Sequence, residues 1–212
     1  MHRMDTLYYS PGACSLAPHI LLKEIGEPFE LRRVSIAEGQ HLEPEYLALN
    51  PRGRVPTLVT HGAVVTEAAA ILLHLAARHP RLELAPAAGV ANARCYEWLM
   101  FLAASVHIAY AQLWRPRRFT LEPGPHDEAL ARAGRADIVR YTADIEARLG
   151  SPWALGERYS IVDAYLLPFY RWSVRIGLDL EQSAPKWSAW RDAMVQRPAV
   201  LHVLQAEGLK TT

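Results

Sequence analysis

Cys14 follows a Ser10-Pro11-Gly12 turn and stands just ahead of an apolar pattern with helical spacing at residues 16, 17, 20, 21 and 25. Proline is tolerated only in the first turn of a helix, so Pro18 places the helix start near Ser15 and leaves Cys14 at its mouth. Unpaired N–H groups and the positive end of the helix dipole favour thiolate over thiol there, which lowers a cysteine pKa. The same position equally suits a small buried hydrophobe, and position alone does not choose between the two. No second cysteine lies within a few residues, so a Cys-x-x-Cys dithiol cycle is excluded and a mixed disulfide with a small thiol stays open.

Three other features bear on a site. Val55-Pro56 precedes a strand pattern. A cis bond there would leave Val55's backbone groups free for an extended ligand, whereas an ordinary trans proline opening a strand is the simpler reading. Thr66-Glu67-Ala68 opens a helix whose N–H groups suit a carboxylate, with Glu67 suited to an ammonium group. By itself this is also just a well-capped helix, with Thr66 as the cap. His107 lies on an apolar helix and reads first as a satisfied core residue. Ser160-Ile161-Val162-Asp163 has the form of a capping box, a structural device. Cys95 reads as packing, the histidines show no metal spacing, and the arginines of Trp114-Arg115-Pro116-Arg117-Arg118 read as a solvated loop.

The elements that must position these residues change character along the chain. Strand patterns at Leu7–Tyr9 and Phe29–Val34 flank the first helix, which Gly26 stops. A polar stretch runs to Pro51, and His61-Gly62 then joins two short strands as a two-residue hairpin. The helix from Thr66 ends before Pro80. After a linker around Leu84–Gly89 only helical patterns follow, at 91–113, 126–149, 160–176 and 185–197, with Pro198 ending the last. The expectation is a small α/β domain, a boundary near residue 86, and a helical domain.

Composition narrows the function. The 212 residues carry 23 Lys+Arg against 22 Asp+Glu, which argues against a broad electrostatic footprint for nucleic acid or acidic lipid. Two cysteines are too few for a disulfide scaffold and fit a reducing compartment. The residues from Met1 to the first turn are too short for a signal peptide, and the apolar stretch near 98–113 is broken by Ser105, His107 and Gln112. A soluble cytoplasmic protein without membrane or nucleic-acid partners is expected.

In order along the chain these features resemble one family. Leu7-Tyr8-Tyr9-Ser10-Pro11-Gly12-Ala13-Cys14-Ser15-Leu16-Ala17-Pro18-His19 is similar to the N-terminal motif of beta-class bacterial glutathione S-transferases. Asn50-Pro51-Arg52-Gly53-Arg54-Val55-Pro56-Thr57-Leu58 resembles the segment around that family's cis-proline, and Thr66-Glu67-Ala68-Ala69-Ala70-Ile71 its glutamate-bearing helix start. Glu97-Trp98-Leu99 through His107, and Tyr159-Ser160-Ile161-Val162-Asp163-Ala164-Tyr165, resemble parts of its helical domain. The resemblance spans about Leu7 to Leu209.

The resemblance implies an α/β plus all-α fold, with a thioredoxin-like glutathione-binding domain over 1–85 and an all-helical domain over 86–212. It implies a homodimer of a detoxification transferase that joins glutathione to a hydrophobic electrophile, without a metal, and with thiol-transferase or peroxidase side activity. Cys14 would lie beside the glutathione sulfur and His107 would reach toward it. Val55 would pair with the cysteinyl unit, Pro56 would be cis, and Glu67 with the Ala68 N–H would hold the γ-glutamyl end. Gly39, Ala68, Met100, Ala104 and Ile108 stand where family members often carry polar residues, so weaker glutathione binding or a more apolar second substrate is expected. Those losses also motivate a non-catalytic binding protein. A glutathione-dependent isomerase or dehalogenase is a further alternative, although Pro-Gly-Ala-Cys departs from the isomerases' usual Ser-Ser-Cys type of motif.

Overall fold

The computed structural model describes residues 4–211; residues 1–3, where the signal-peptide reading begins, lie outside the described residues. Strand β1 (Asp5–Tyr9) leads through helix α1 (Leu16–Ile25) to β2 (Phe29–Arg33), which pairs parallel to β1. A 3₁₀ turn (Gln40–Leu42) and helix α2 (Pro44–Leu49) follow, then the hairpin β3 (Thr57–Thr60) and β4 (Ala63–Thr66) and helix α3 (Ala68–Arg78). β3 runs antiparallel to β1, giving a mixed sheet in the order β2-β1-β3-β4. This is the thioredoxin-like arrangement. His61 and Gly62 turn the hairpin with φ of 48° and 83°, as a primed two-residue turn requires.

The polar stretch before Pro51 proves partly helical. Proline at the first position of α2 lacks the N–H that a helix start leaves unpaired anyway, and a helix this short shows no clear apolar period. Pro198 is corrected for the same reason: it opens a helix instead of ending one. The expected helix over 185–197 is α9 (Pro185–Met194), and α10 (Pro198–Ala206) begins a few residues later. Thr66 is the last residue of β4, and Glu67 takes the N-cap position of α3 with φ 69°.

The helical part begins with α4 (Gly89–Phe101), a π-helical segment (Leu102–Val106) and α5 (His107–Trp114) in one continuous rod. The π segment admits an extra residue and shifts the face that His107 presents. Helix α6 (Pro125–Arg148) packs along α5, where a Cβ on Gly134 would come within 2.6 Å of the Ala109 carbonyl oxygen. Helices α7 (Ile161–Arg175) and α8 (Leu180–Ser183) precede α9 and α10.

Helix α1 explains how the two parts join. Every residue from Leu16 to Leu22 is buried, because α3, α7 and α10 also pack against this helix beside the sheet. An all-round apolar helix is the expected signature of such a central position. A second, smaller apolar cluster joins Val34, Tyr46 and Val55.

Asp163 anchors the start of α7. Its carboxylate accepts from the Ser160 N–H (2.8 Å), the Ala154 N–H (2.7 Å) and the Trp190 Nε1–H (2.8 Å), and the side chain is fully buried. The Ser160 hydroxyl in turn caps the helix, so the expected capping box is present. Replacing Asp163 by Ala strands these buried donors and is expected to cost about 3 kcal/mol, read as a lowered urea midpoint at an unchanged m-value.

Candidate active site

A cavity of about 420 Å³ opens between the two parts of the chain, within the range of small-molecule sites. All six residues singled out in the sequence, Cys14, Val55, Pro56, Glu67, Ala68 and His107, line it. The first five come from the sheet-bearing part, and His107 reaches it from the start of α5.

The loop carrying Cys14 is held at Gly12. Its N–H donates to Glu207 Oε2 at 2.8 Å, and its carbonyl accepts from Trp172 Nε1 at 2.8 Å. The other oxygen of Glu207 meets His19 Nδ1 at 2.7 Å, and both side chains are buried. Gly12 adopts φ 70°, which favours glycine. Within the loop, the Ser15 hydroxyl bonds both the N–H and the carbonyl of Ser10 at 3.1 Å. Glu207 lies 195 residues from Gly12, and no local pattern marks it.

The structure decides between the two readings of Cys14. The residue is only 6% exposed, and its thiol donates to the Val55 carbonyl at 3.5 Å. Burial pushes its pKa up to about 12, with Glu67 adding to the rise; its backbone hydrogen bond, Arg115 and Arg54 pull the other way and lose. Of the two readings that position leaves open, burial favours the protonated thiol over a lowered pKa. Desolvating a thiolate outweighs the partial charge of a helix terminus. Cys95 is fully buried, as expected.

The Val55–Pro56 bond is cis. The Asn50–Arg54 turn before it is fastened by the Tyr46 hydroxyl and the Asn50 amide, which both donate to the Arg54 carbonyl at 2.7 Å. Glu67 holds φ 69° and ψ 121°, a sparsely populated conformation for a non-glycine residue. It places the glutamate at the cavity wall just before the first N–H groups of α3.

His107 packs against Trp172 (5.6 Å between ring centres) and Phe169 (6.1 Å). Burial first, then Arg118, Arg115 and Arg54, lower its pKa to about 4. It is thus a neutral imidazole at pH 7, able to donate a hydrogen bond but a weak base. Tyr110, Trp172, Arg54 and Arg175 also line the cavity, and no local sequence signal marks them. Arg115 and Arg118 are exposed, as a solvated loop implies, and also line the cavity; Arg117 lies outside the lining and approaches Asp127 at 3.9 Å. Of the departures from the family pattern, Ala68 and Ile108 line the cavity, whereas Gly39, Met100 and Ala104 do not. Among the described residues no group of three or more His, Cys, Asp or Glu could hold a metal ion, and no helix is long and apolar enough to cross a membrane.

A sheet-bearing part that supplies a cysteine loop, a cis-proline and a capping glutamate, facing an all-helical part that closes the cavity, defines a two-part transferase architecture. Family profiles agree: "Glutathione S-transferase, N-terminal domain" matches residues 5–77 and "Glutathione S-transferase, C-terminal domain" matches 101–198. The chain is 36% identical to glutathione S-transferase GstA of Escherichia coli O157:H7 over 208 residues, 96% of this chain and 99% of that one. It is 34% identical to glutathione S-transferase GST-4.5 of Xanthomonas campestris, over 96% and 98% of the two chains. A glutathione transferase homologue from Sulfitobacter, solved with bound glutathione, superposes with a TM-score of 0.92 at 31% identity, over 98% and 99% of the chains. The chain belongs to the glutathione S-transferase family.

The state of Cys14 has a direct readout. Its alkylation by iodoacetamide, located by mass spectrometry, should be slow near neutral pH and rise about tenfold per pH unit without a plateau below pH 10. A plateau near pH 7 would contradict the buried-thiol description.

Proposed function

We propose that the protein is a glutathione transferase that binds the tripeptide along the sheet-side wall of the cavity and directs its sulfur at an electrophile on the helical side. The observation that carries this reading is the convergence of Cys14, Val55-Pro56 and Glu67-Ala68 on one wall, with His107 opposite. Glu67 would take the γ-glutamyl ammonium and the first N–H groups of α3 its carboxylate. The Val55 backbone would pair with the cysteinyl unit. A domain pair at 1–85 and 86–212, a homodimer and a cytoplasmic detoxification role belong to the same reading.

In the reaction the glutathione thiol loses its proton to solvent, and the thiolate attacks the electrophilic carbon. A carbon–sulfur bond forms while the leaving group departs with its bonding pair. The groups facing the sulfur stabilise that negative charge: the Cys14 thiol and the neutral His107 can donate to it, and Arg54 and Arg115 add positive potential. Cys14 thus serves as a donor in its protonated form, which favours conjugation over thiol exchange. An exchange cycle would require the thiolate that burial disfavours.

Two experiments test this reading. Glutathione at 5 mM should raise Tm by about 2–6 °C, as mass action predicts for a ligand with sub-millimolar affinity; no shift and no retention on immobilised glutathione would remove the basis of the proposal. Reduction of a glutathione mixed disulfide should be slow and lost in Cys14→Ala, which should keep conjugation of 1-chloro-2,4-dinitrobenzene within about threefold. Binding without turnover of any electrophile would instead favour a non-catalytic glutathione-binding protein.

A further inference from the structure

The cavity is strongly unbalanced in charge. Arg52, Arg54, Arg115, Arg118 and Arg175 line it, and Glu67 is the one carboxylate among its lining residues. The whole chain is nearly neutral, with 23 basic against 22 acidic residues, so positive charge is focused here. Arg54, Arg115, Arg118 and Arg175 form no ion pair with a described residue, although most other arginines near a carboxylate do. Arg118 is depressed by burial and by its neighbours Arg54 and Arg115, so these guanidiniums sit close enough to repel one another. These guanidiniums are exposed to water and need no counter-ion to be stable, yet their focused positive potential at the cavity mouth favours an anionic ligand.

Glutathione does not account for all of this charge. On the reading above, its ammonium faces Glu67 and one carboxylate faces the start of α3, leaving a single glycyl carboxylate. Arg52, whose guanidinium donates to Thr66 Oγ1 at 3.2 Å, and Arg54 beside Val55 flank that wall. Arg115, Arg118 and Arg175 come from the helical side, at the ends of α5 and α7, where the electrophile would lie. The same region is aromatic: Trp114 and Trp172 stand 5.4 Å apart, Tyr110 lies 5.2 Å from Trp172, and Arg175 lies over the Trp114 ring at 5.4 Å. Tyr110 and Trp172 are buried behind Trp114, which is exposed, and such an aromatic wall beside forked guanidiniums fits a ring that carries a carboxylate.

We propose that the second substrate of this cavity is an aromatic electrophile bearing a carboxylate, with Arg115 and Arg118 holding the anionic group while the ring packs against the aromatic wall that Trp114 fronts. The proposal rests on the transferase reading for its chemistry and replaces the expectation of a more apolar second substrate. The carboxylate takes no part in bond making; it orients the ring so that the glutathione sulfur meets the carbon bearing the leaving group.

The test compares 1-chloro-2,4-dinitrobenzene with 4-chloro-3,5-dinitrobenzoate, each rate divided by the uncatalysed reaction with glutathione. In both, the sulfur–carbon bond forms as chloride leaves with its bonding pair and the thiol proton passes to buffer. The benzoate should be favoured about tenfold in kcat/KM at low salt, and the advantage should shrink severalfold at 0.5 M salt as the guanidiniums are screened. Arg115→Gln and Arg118→Gln should each cut the advantage about fivefold. Arg132→Gln, at an exposed residue paired with Glu128 at 3.8 Å, should leave it unchanged. Equal preference for the two substrates would overturn the proposal. So would variants that raise the glutathione KM alike with both, since the arginines would then serve the tripeptide. If neither substrate turns over, the transferase reading fails, and binding decides the inference. Salt-sensitive binding of 3,5-dinitrobenzoate but not of 1,3-dinitrobenzene, lost in Arg118→Gln, would sustain it; no binding would overturn it.

Discussion

The chain's last helix ends by gripping its first loop. Glu207 takes the Gly12 N–H with one carboxylate oxygen and His19 with the other, and Trp172 binds the Gly12 carbonyl from α7. A single glycine is thereby fixed by two side chains that are distant from it in sequence. Cys14, two residues on, inherits that position, and so does the mouth of α1. The carboxylate is buried, so its hydrogen bonds face little competition from water, and losing one partner would leave the others with an uncompensated charge. The seam between the two parts of the chain is also where the cavity lies, and the Gly12 contacts are part of what holds that seam closed.

Much of the fold was legible because its signals are local. Gly26 ends α1 in the left-handed conformation, His61-Gly62 turns the hairpin, and the Ser160–Asp163 box opens α7; each depends on a few adjacent residues. The short helix α2 and the start of α10 were not legible, since a proline that opens a helix reads the same as one that closes it. The π segment before His107 has no composition of its own and follows from how α4 and α5 pack.

The site was legible as a set of positions but not as a set of ionisation states. The motif around Cys14 pointed to the correct loop, yet the charge on its sulfur depends on burial and on Val55 and Glu67, from other segments. The arginines illustrate the same limit. Between two helices a run of basic residues reads as a solvated loop, which these exposed side chains are, and only the fold shows Arg115 and Arg118 lining one cavity with Arg54. Charge balance over the whole chain hid a local excess.

The account centres on glutathione lying between the Cys14 loop and the start of α3. A crystal structure with glutathione tests that claim most directly. It should show the γ-glutamyl end at Glu67 and the Ala68 N–H, the cysteinyl backbone on Val55, and the sulfur within about 4 Å of Cys14 and facing His107, as hydrogen-bonded contact with sulfur requires. A tripeptide bound elsewhere, or one in this cavity with its sulfur turned away from Cys14 and His107, would contradict it.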